Sequence, residues 1–332
     1  MDCTEPLFSI LIANFNNGKF IPEAIESVVQ QTYSNWEIVF VDDYSTDNSI
    51  EIAARYNGSG KLRIYQNNEN KGVGFTKDKC IQLAQGELCG FLDPDDTLDP
   101  DALKHMVEVF NNNTNCSLVY STHYLCDEKL HIIRIADYVG RLKRNDFLLL
   151  GPGERVISQF AVFEKRVYQY TGGVSINMKR ALDHDLYYLL EEQGPVVYLD
   201  IPLYYYRLHS GNISKGGVNH YIAMFWDYEA KTRAFERRKS ISHNLYLNNI
   251  MEYEEKYLYS SLVSNLFFRR SFNTIYKPLV VYMNIRNRNR SVLWVFSMLL
   301  KAVVLTCIKF PILKLYTRFH VKSNYPVLGI HN

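Results

Sequence analysis

The first third of the chain alternates short apolar runs with helix-like stretches, and this alternation restricts the possible folds most. Apolar runs of strand length recur four times, and turn residues and then apolar residues at helical spacing follow them. The four predicted strands are residues 8–13, 36–41, 62–65 and 88–92. Strands that alternate with helices in this way form a parallel sheet with helices on both faces. The sequence therefore predicts an α/β fold.

Polar side chains stand at the ends of three of these predicted strands. Asn14 and Asn16 follow the first strand, and an acidic run at residues 93–96 follows the fourth. Asp42 and Asp43 follow the second strand. Because open parallel sheets bind ligands at the carboxyl ends of their strands, we expect these groups to meet at one site.

The acidic run at residues 93–96 suits a divalent cation. Adjacent carboxylates repel one another unless a cation lies between them. Their hard oxygen atoms suit Mg²⁺ or Mn²⁺, and Mg²⁺ often shares its ligands with substrate phosphates. The alternative is a solvated acidic turn that caps a helix starting near Asp99 and Pro100. The run alone does not decide between the two.

Two further acidic segments have both a chemical and a structural interpretation. In residues 42–47, a carboxylate can accept a hydrogen bond from a nucleobase or a ribose hydroxyl, whereas Ser45 or Asp47 can cap a helix. In residues 182–188, Asp183 can act as a general base, or it can be an acidic residue in the first turn of a helix. The two interpretations are compatible in both segments.

A fourth segment, residues 205–214, combines Arg207 and His209 with Asn and Ser on a loop that contains glycine. Such donors suit a pyrophosphate or a metal. A lone histidine is more often structural, but this one stands among other groups that can bind phosphate.

In their order along the chain, these segments resemble the family 2 inverting glycosyltransferases of the GT-A fold. The resemblance covers residues 7–215 approximately. The matched elements, in order, are Ala13-Asn14-Phe15-Asn16, Gln31-Thr32-Tyr33, Asp42 to Asp47, Asn70-Lys71-Gly72, Gly86-Glu87 through Asp96, Gly172-Gly173, Asp183-His184-Asp185-Leu186 and Tyr206-Arg207-Leu208-His209. The resemblance implies a Rossmann-like mixed, mainly parallel sheet flanked by helices. It also implies Mn²⁺ or Mg²⁺ as cofactor and a nucleotide-diphospho-sugar donor, with UDP favoured.

The resemblance also assigns residues to the nucleotide-sugar. These are Ala13, Phe15, Asp43, Lys71, Asp93, Arg207 and His209. Within this set, Phe15 would stack near the base, Asp43 would contact a uracil-like edge and Asp93 would lie beside the ribose. His209 would approach the diphosphate.

For the metal and the chemistry, the resemblance implies Asp95 and His209 as metal ligands and Asp183 as the catalytic base. The glutamate that usually precedes this base is Leu182 here, so Asp185 is the fallback base. The choice of donor sugar is expected to lie in the weakly patterned middle of the chain. The candidates are Glu154, Arg155 and Gln159.

The predicted domain organisation is a GT-A catalytic domain at residues 1–216 and a helical, basic extension at 217–332. The catalytic domain is divided into a nucleotide-sugar part at about 1–115 and an acceptor part at about 116–216. Two other functions stay open. One is a catalytically inactive, membrane-attached GT-A-like binding subunit. The other is a nucleotidyltransferase, although the turn at 14–17 lacks the glycine-rich basic loop typical of that class.

The charge of the extension is unusual. No Asp or Glu follows Glu255, and residues 256–332 contain twelve Lys and Arg. The preceding 255 residues hold 25 basic and 35 acidic residues, so a body of formal charge −10 precedes a tail of +12. Such a split indicates a tail that binds an anionic surface. Nucleic acid is not the expected partner, because long apolar runs interleave with these charges.

The apolar stretch at residues 291–315 carries Lys301 near its middle. A lysine at the bilayer centre costs roughly 3 kcal/mol on insertion scales, whereas an interfacial helix lets it reach water. The sequence therefore favours a helix at the membrane interface over a single span or a soluble helix, which could pack on the body or in a homodimer. The chain start lacks the features of a signal peptide, and six scattered cysteines indicate reduced thiols. We thus expect a cytoplasmic protein, peripheral at the inner face of the cell membrane, that acts on a glycan or lipid-linked acceptor.

Overall fold

The structure is a computed structural model, and it describes part of the chain. The described residues are 5–141, 157, 159–176, 178, 180–211, 223, 226–227, 229–231, 233–234 and 237–238. Within them, no helix is long and apolar enough to cross a membrane. The predicted helix at 291–315 and the candidates Glu154 and Arg155 lie outside the described residues.

The chain divides into two compact units. The first is formed by Met1–Asn212 together with Ala230–Arg238, and the second by Ile213–Glu229 together with Lys239–Asn332. All strands and helices given below belong to the first unit. The predicted division at residue 216 and the further division near residue 115 stay predictions.

The first half of the sheet is parallel. Its strands are β1 (Phe8–Asn14), β2 (Trp36–Asp42), β3 (Leu62–Gln66) and β4 (Leu88–Phe91). They lie in the order β3-β2-β1-β4. All seven residues of β2 are buried, as is typical of a strand that is covered on both faces. The predicted parallel α/β arrangement is thus confirmed.

The second half of the sheet is mostly antiparallel. Its strands are β5 (Thr97–Leu98), β6 (Leu118–Cys126), β7 (Ile132–Ile135), β8 (Ala161–Glu164) and β9 (Val196–Arg207). Strand β8 pairs antiparallel with β4 and with β6, and β9 then pairs parallel with β6. The described residues form one mixed sheet of nine strands, which agrees with the predicted mixed sheet.

Helices pack against this sheet. They are α1 (Ile21–Val29), α2 (Ser49–Ala54), α3 (Val73–Leu83), α4 (Ala102–Asn112), α5 (Lys165–Tyr170) and α6 (Leu182–Glu191). In α1, Ile21, Ile25 and Val28 are fully buried at helical spacing. Each such side chain contributes about 1.5–3 kcal/mol through burial.

The acidic run at residues 93–96 does not cap the following helix. Strand β5 follows the run directly, and α4 begins only at Ala102, after Asp101. Strand β5 pairs with the end of β9, which brings the run close to the Arg207–His209 segment. The helix-capping alternative for this run is therefore wrong.

Candidate active site

The ends of β1 and β2 are joined by a network of neutral donors. Asn14 Nδ2 donates to Asp42 Oδ1 at 2.8 Å, and Ser45 Oγ donates to the same oxygen at 2.5 Å. Ser45 N donates to Asp42 Oδ2 at 2.8 Å. Ser45 therefore fixes the strand end and does not cap α2. The N-cap of α2 is Asn48, so the prediction that Ser45 or Asp47 occupies this position is wrong. Asp47 does accept a hydrogen bond from Ser49 N at 3.0 Å, at the start of α2.

Asp43 anchors the loop that leads into α3. Its Oδ1 accepts hydrogen bonds from Asn67 Nδ2 and Lys71 N, each at 2.8 Å, and its Oδ2 accepts one from Gly72 N at 2.8 Å. Gly72 is the N-cap of α3 and has a φ of +87°, which glycine adopts without strain. The Lys71 ammonium pairs with Glu69 at the surface. Asp43 is buried, so its carboxylate is fixed in position before any ligand binds.

Two turns at this edge are tied to each other. Asn16 N donates to Ser45 Oγ at 2.9 Å, and Asn16 Oδ1 accepts a hydrogen bond from Thr46 N at 2.8 Å. Phe15 on the first turn and Tyr44 on the second are both exposed. We call residues 14–18, 42–47 and 67–72 the amide edge, because neutral N–H and hydroxyl donors hold its buried carboxylates. Ala13 lies directly before it in β1, paired with Val41.

The aspartates of the acidic run have three different environments. Asp93 is partly exposed and pairs with Lys77, whose Nζ lies 3.1 Å from Asp93 Oδ1. Asp95 Oδ2 lies 2.9 Å from His209 Nε2. Asp96 is buried and accepts hydrogen bonds from Tyr204 Oη and Arg207 N, each at 2.7 Å.

Burial raises the pKa of Asp96 well above its usual range, and the charges of Asp95 and Asp93 raise it further. The two hydrogen bonds from Arg207 and Tyr204 lower it but do not compensate. Asp96 therefore supports the turn, whereas Asp93 and Asp95 face other partners.

Arg207 is a buried residue at the end of β9 that connects three other segments of the chain. Its Nε donates to the Asp95 carbonyl at 2.7 Å, its Nη1 donates to the Glu128 carbonyl at 2.8 Å, and its Nη2 pairs with Glu23. Its guanidinium also lies 4.9 Å from the centre of the Phe20 ring. This arrangement favours a positioning role over the direct contact with the nucleotide-sugar that the resemblance implies.

His209 is held so that Nε2 faces Asp95. Gly211 N donates to His209 Nδ1 at 3.1 Å, which orients the ring. The ring also packs 4.8 Å from the Phe20 ring. The two predicted metal ligands, which are 114 positions apart in the chain, thus lie side by side.

A small cavity lies next to the acidic run, and we call it the cation cleft. It is lined by Lys77, Ile81, Phe91, Asp93, Gln159, Val174, Leu182, Asp183, Leu186 and Tyr187. Burial lowers the pKa of Lys77, but the charges of Asp93 and Asp183 outweigh it, and the pKa lies above its usual value. The Lys77 side chain therefore keeps its positive charge beside these two carboxylates. Gln159, a predicted sugar-selecting residue, also lines the cleft.

Lys77 is the site residue that sequence reasoning missed. It lies on α3 four positions before Ile81 and three after Gly74, both of which are buried. A lysine on the buried face of a helix is uncommon, because a desolvated ammonium needs a partner. That spacing was the available signal, since the carboxylate partners are distant in sequence.

The two aspartates at the start of α6 face different surroundings. Asp183 lines the cation cleft. Asp185 is fully buried, and its Oδ2 accepts a hydrogen bond from Ser175 N at 3.2 Å. Its Oδ1 lies 3.7 Å from Arg233 Nε and 3.8 Å from Arg237 Nη1, distances that suit ion pairs but not hydrogen bonds. The placement favours Asp183 over the fallback Asp185 as a group that meets a substrate.

Three arginines near the end of the first unit hold the back of α6, and we call Arg233, Arg237 and Arg238 the arginine clamp. Arg237 and Arg238 both donate to Glu192, at 2.8 and 3.0 Å. Arg238 also donates to the Tyr188 carbonyl at 2.8 Å. The helix that carries Asp183 is thereby fixed from the side opposite the cleft.

Comparison with known proteins gives consistent matches. Residues 9–171 match the family described as glycosyl transferase family 2. The chain is 29% identical over 209 residues to a chondroitin synthase from Escherichia coli, a match that covers 63% of this chain and 30% of that protein. The chain spans only about a quarter to a third of the length of the first curated relatives it matches.

Two solved structures share the fold. The residue 1–349 fragment of S. aureus TarS in complex with UDP-GlcNAc has a TM-score of 0.55 at 19% identity, over 77% of this chain and 79% of that one. The mannosyltransferase PcManGT from Pyrobaculum calidifontis, in complex with GDP-Man and Mn²⁺, has a TM-score of 0.53 at 13% identity, over 92% of this chain and 88% of that one. At these identities the likeness concerns the fold alone.

Proposed function

The chain belongs to glycosyl transferase family 2, and from that premise we propose that it transfers a sugar from a nucleotide-diphospho-sugar to a hydroxyl of a glycan or lipid-linked acceptor, with inversion. One observation carries the proposal. The cation cleft places Lys77 against Asp93, at the acidic run, and against Asp183, at the start of α6. The carboxylate proposed to bind the donor and the candidate base therefore share one small cavity.

Two described side chains fit a divalent cation, namely the Asp95 carboxylate and the His209 imidazole, 2.9 Å apart. Carboxylate oxygen suits both Mn²⁺ and Mg²⁺, and an imidazole nitrogen favours the transition metal of the two. No group of three or more His, Cys, Asp or Glu in the described part of the chain could hold a metal. The donor diphosphate and water would therefore supply the other ligands. When bound, the cation neutralises charge on the diphosphate leaving group.

Asp183 is the proposed general base. It takes the proton of the acceptor hydroxyl while that oxygen attacks the anomeric carbon from the face opposite the diphosphate. The bond from carbon to acceptor oxygen forms as the bond to phosphate oxygen breaks, and the nucleoside diphosphate leaves with the electron pair. The charge of the Lys77 ammonium interacts with that of Asp183 and favours the ionised carboxylate that a base requires.

The amide edge is the proposed nucleotide site, with Ala13, Phe15, Asp43 and Lys71 at the nucleoside and Asp93 beside the ribose. Its carboxylates are already hydrogen-bonded, so the edge needs little rearrangement on binding. UDP is the favoured nucleotide. Gln159 in the cation cleft is the proposed contact for the donor sugar.

Polysaccharide synthesis is the proposed setting, because a relative of this chain is a chondroitin synthase. The basic segment at residues 256–332 supports peripheral binding to an anionic membrane at its cytoplasmic face, where a lipid-linked acceptor would be presented. Fractionation of the full chain and of a variant truncated after Glu255 tests this. Recovery of both in the soluble fraction would contradict membrane binding.

Asp183→Asn is the direct test of the function. The variant should lose about 10²–10⁴-fold in sugar transfer, because an amide cannot accept the proton. Affinity for the nucleotide-sugar should stay the same. The measurement is Mn²⁺-dependent transfer or hydrolysis with a panel of UDP-, GDP- and dTDP-sugars, together with calorimetric binding of the same donors.

Asp137→Asn is the matched control, since Asp137 is an exposed partner of Arg134 at 2.7 Å, outside the site. Turnover of Asp183→Asn near the wild-type rate would rule out Asp183 as the base. Binding without transfer or hydrolysis by the wild-type chain would favour an inactive binding subunit. Release of pyrophosphate from a nucleoside triphosphate would favour a nucleotidyltransferase.

A further inference from the structure

Tyr44 has a backbone conformation that aromatic residues rarely adopt. Its φ is +63°, in the left-handed region, where the Cβ atom of an L-residue approaches the following carbonyl oxygen. The other non-glycine residues with positive φ in the described part of the chain are Asn16, Leu130 and Ala181. Asparagine tolerates this region, whereas a bulky aromatic residue adopts it only with strain.

The turn imposes this conformation on Tyr44 through its neighbours. Asp43 N donates to the Asn14 carbonyl at 2.8 Å, and Ser45 N donates to Asp42 Oδ2 at 2.8 Å. Both residues that flank Tyr44 are therefore fixed to the strand ends, which favours the left-handed form at position 44. Glycine would do so without strain.

Packing of the Tyr44 ring within the protein does not explain why tyrosine occupies this position. The side chain is 51% exposed. Among the described residues, no hydrogen bond to its hydroxyl and no stacking with another ring is found. A strained residue whose ring and hydroxyl have no such contacts is typical of a functional contact.

The surroundings of Tyr44 indicate what the ring contacts. Phe15, itself 38% exposed, lies on the neighbouring turn, which is tied to the Tyr44 turn through Asn16 and Ser45. The buried carboxylate of Asp43 directly precedes Tyr44. Two exposed rings and a hydrogen-bond acceptor thus stand at the carboxyl ends of adjacent parallel strands, where open sheets bind ligands. Aromatic faces beside a polar group suit a planar, polar ring such as a nucleobase.

We infer that Tyr44 is a stacking contact for the base of the donor nucleotide and a determinant of its affinity. This inference rests on the proposed function, which puts the nucleotide at the amide edge. It adds a residue that neither the motifs nor the resemblance assigns. The ring occupies a position where glycine would be less strained, and contact with the ligand accounts for that choice.

Three substitutions of Tyr44 in the full chain test the inference, with UDP and GDP as probes in the presence of Mn²⁺. Tyr44→Gly should raise the melting temperature by about 1–3 °C, because it relieves the left-handed strain. The same variant should weaken binding of the better probe by about 5–20-fold, because base–aromatic stacking is lost. Tyr44→Phe, which retains the ring, should bind within about twofold of wild type.

Leu130→Gly is the matched control. Leu130 has a φ of +65° in the turn between β6 and β7 and belongs to no part of the proposed site. It should show a similar gain in melting temperature with unchanged nucleotide affinity. Tyr44→Asn separates the ring from folding effects, since asparagine tolerates the left-handed region but has no ring. It should lose affinity as Tyr44→Gly does.

The possible failures are distinguishable. If the wild-type chain bound neither UDP nor GDP, the proposed function and this inference would both be overturned. If the wild-type chain bound a nucleotide and either Tyr44→Gly or Tyr44→Asn bound it equally well, only the inference would fall. A large loss of affinity in Leu130→Gly would also overturn it, because the effect would then come from the backbone and not from the ring.

Discussion

The two sides of the site hold their carboxylates in different ways. On the amide edge, Asp42 and Asp43 accept hydrogen bonds from backbone N–H, amide and hydroxyl groups. In and beside the cation cleft, Asp93 faces an ammonium and Asp95 faces an imidazole. Backbone and buried side-chain donors hold a carboxylate in place, whereas an ammonium or imidazole side chain can be exchanged for a metal or a substrate group. The first side is thus built for recognition and the second for a change of partners during the reaction.

Lys77→Met should have the largest effect and would break the cation-held side. We expect a fall in turnover of about 10–100-fold, less than a general base contributes, because the ammonium acts through Asp93 and Asp183. The acidic limb of the rate profile should move to higher pH, because without the ammonium Asp183 takes up a proton more readily. Steady-state rates between pH 5 and 9 would measure both effects.

Lys77→Arg should recover most of the activity by restoring the positive charge. Lys104→Met, on the exposed face of α4, is the matched control and should behave as wild type. An unchanged rate profile in Lys77→Met would show that Lys77 only fills space in the cleft.

Asp43→Asn should break the neutral side with a smaller effect, visible mainly in stability. The Asp43 carboxylate accepts hydrogen bonds from Asn67, Lys71 and Gly72. The NH₂ group of an asparagine at this position would face these N–H donors and could not accept from them. A loss of about 2–3 kcal/mol is expected from hydrogen bonds to a charged group. The melting temperature should then fall by about 4–10 °C. Thermal unfolding without ligand measures it, and Asp137→Asn, at an exposed ion pair, should change it by less than about 2 °C.

Asp96→Asn should have the smallest effect and would sharpen the comparison, because Asp96 belongs to the acidic run but is held by neutral donors. Its raised pKa means that folding favours the protonated acid, which asparagine mimics in shape. In the wild type, protonated Asp96 contributes its full stabilisation at low pH. This stabilisation is lost as the pH rises from the pKa of Asp96 in the unfolded chain toward its pKa in the folded chain.

Asparagine does not ionise, so the variant does not lose stability in this way as the pH rises. Its melting temperature relative to that of the wild type should therefore rise between pH 4 and 7. At pH 7 the two should differ by less than about 3 °C. Unfolding curves in EDTA across that range measure the trend. A relative decrease with pH would show that Asp96 is ionised in the folded chain.

The parallel half of the fold and the acidic run could be predicted because their signals are local. Each strand is a short apolar run, and the polar residue that follows it marks the site edge. Asp95 and His209 could also be paired, since both belong to segments that carry the resemblance. Lys77 could not be paired with Asp183, because nothing near Lys77 in the sequence shows that its face of α3 lies toward Asp183.

For Arg207, the sequence indicated a contact with a ligand but did not show its partners within the protein. Its place beside His209 suggested a phosphate ligand, but its hydrogen bonds reach Asp95 and Glu128, over separations of 112 and 79 positions. Whether an arginine meets a ligand or braces the protein depends on burial, which is decided by tertiary packing. The arginine clamp also went unpredicted, because its carboxylate partners lie 45 or more positions earlier in the chain.

The arginine clamp sets a lower limit for a minimal catalytic fragment. A fragment ending shortly after His209 would contain the whole sheet, the acidic run and both aspartates of α6. It would nevertheless lack Arg233 and Arg237, the two cations that face the fully buried Asp185. Removing the partners of a buried charge costs about 3–5 kcal/mol, a large part of the stability of an ordinary domain. Expression trials should therefore retain the chain through Arg238 as part of the catalytic body.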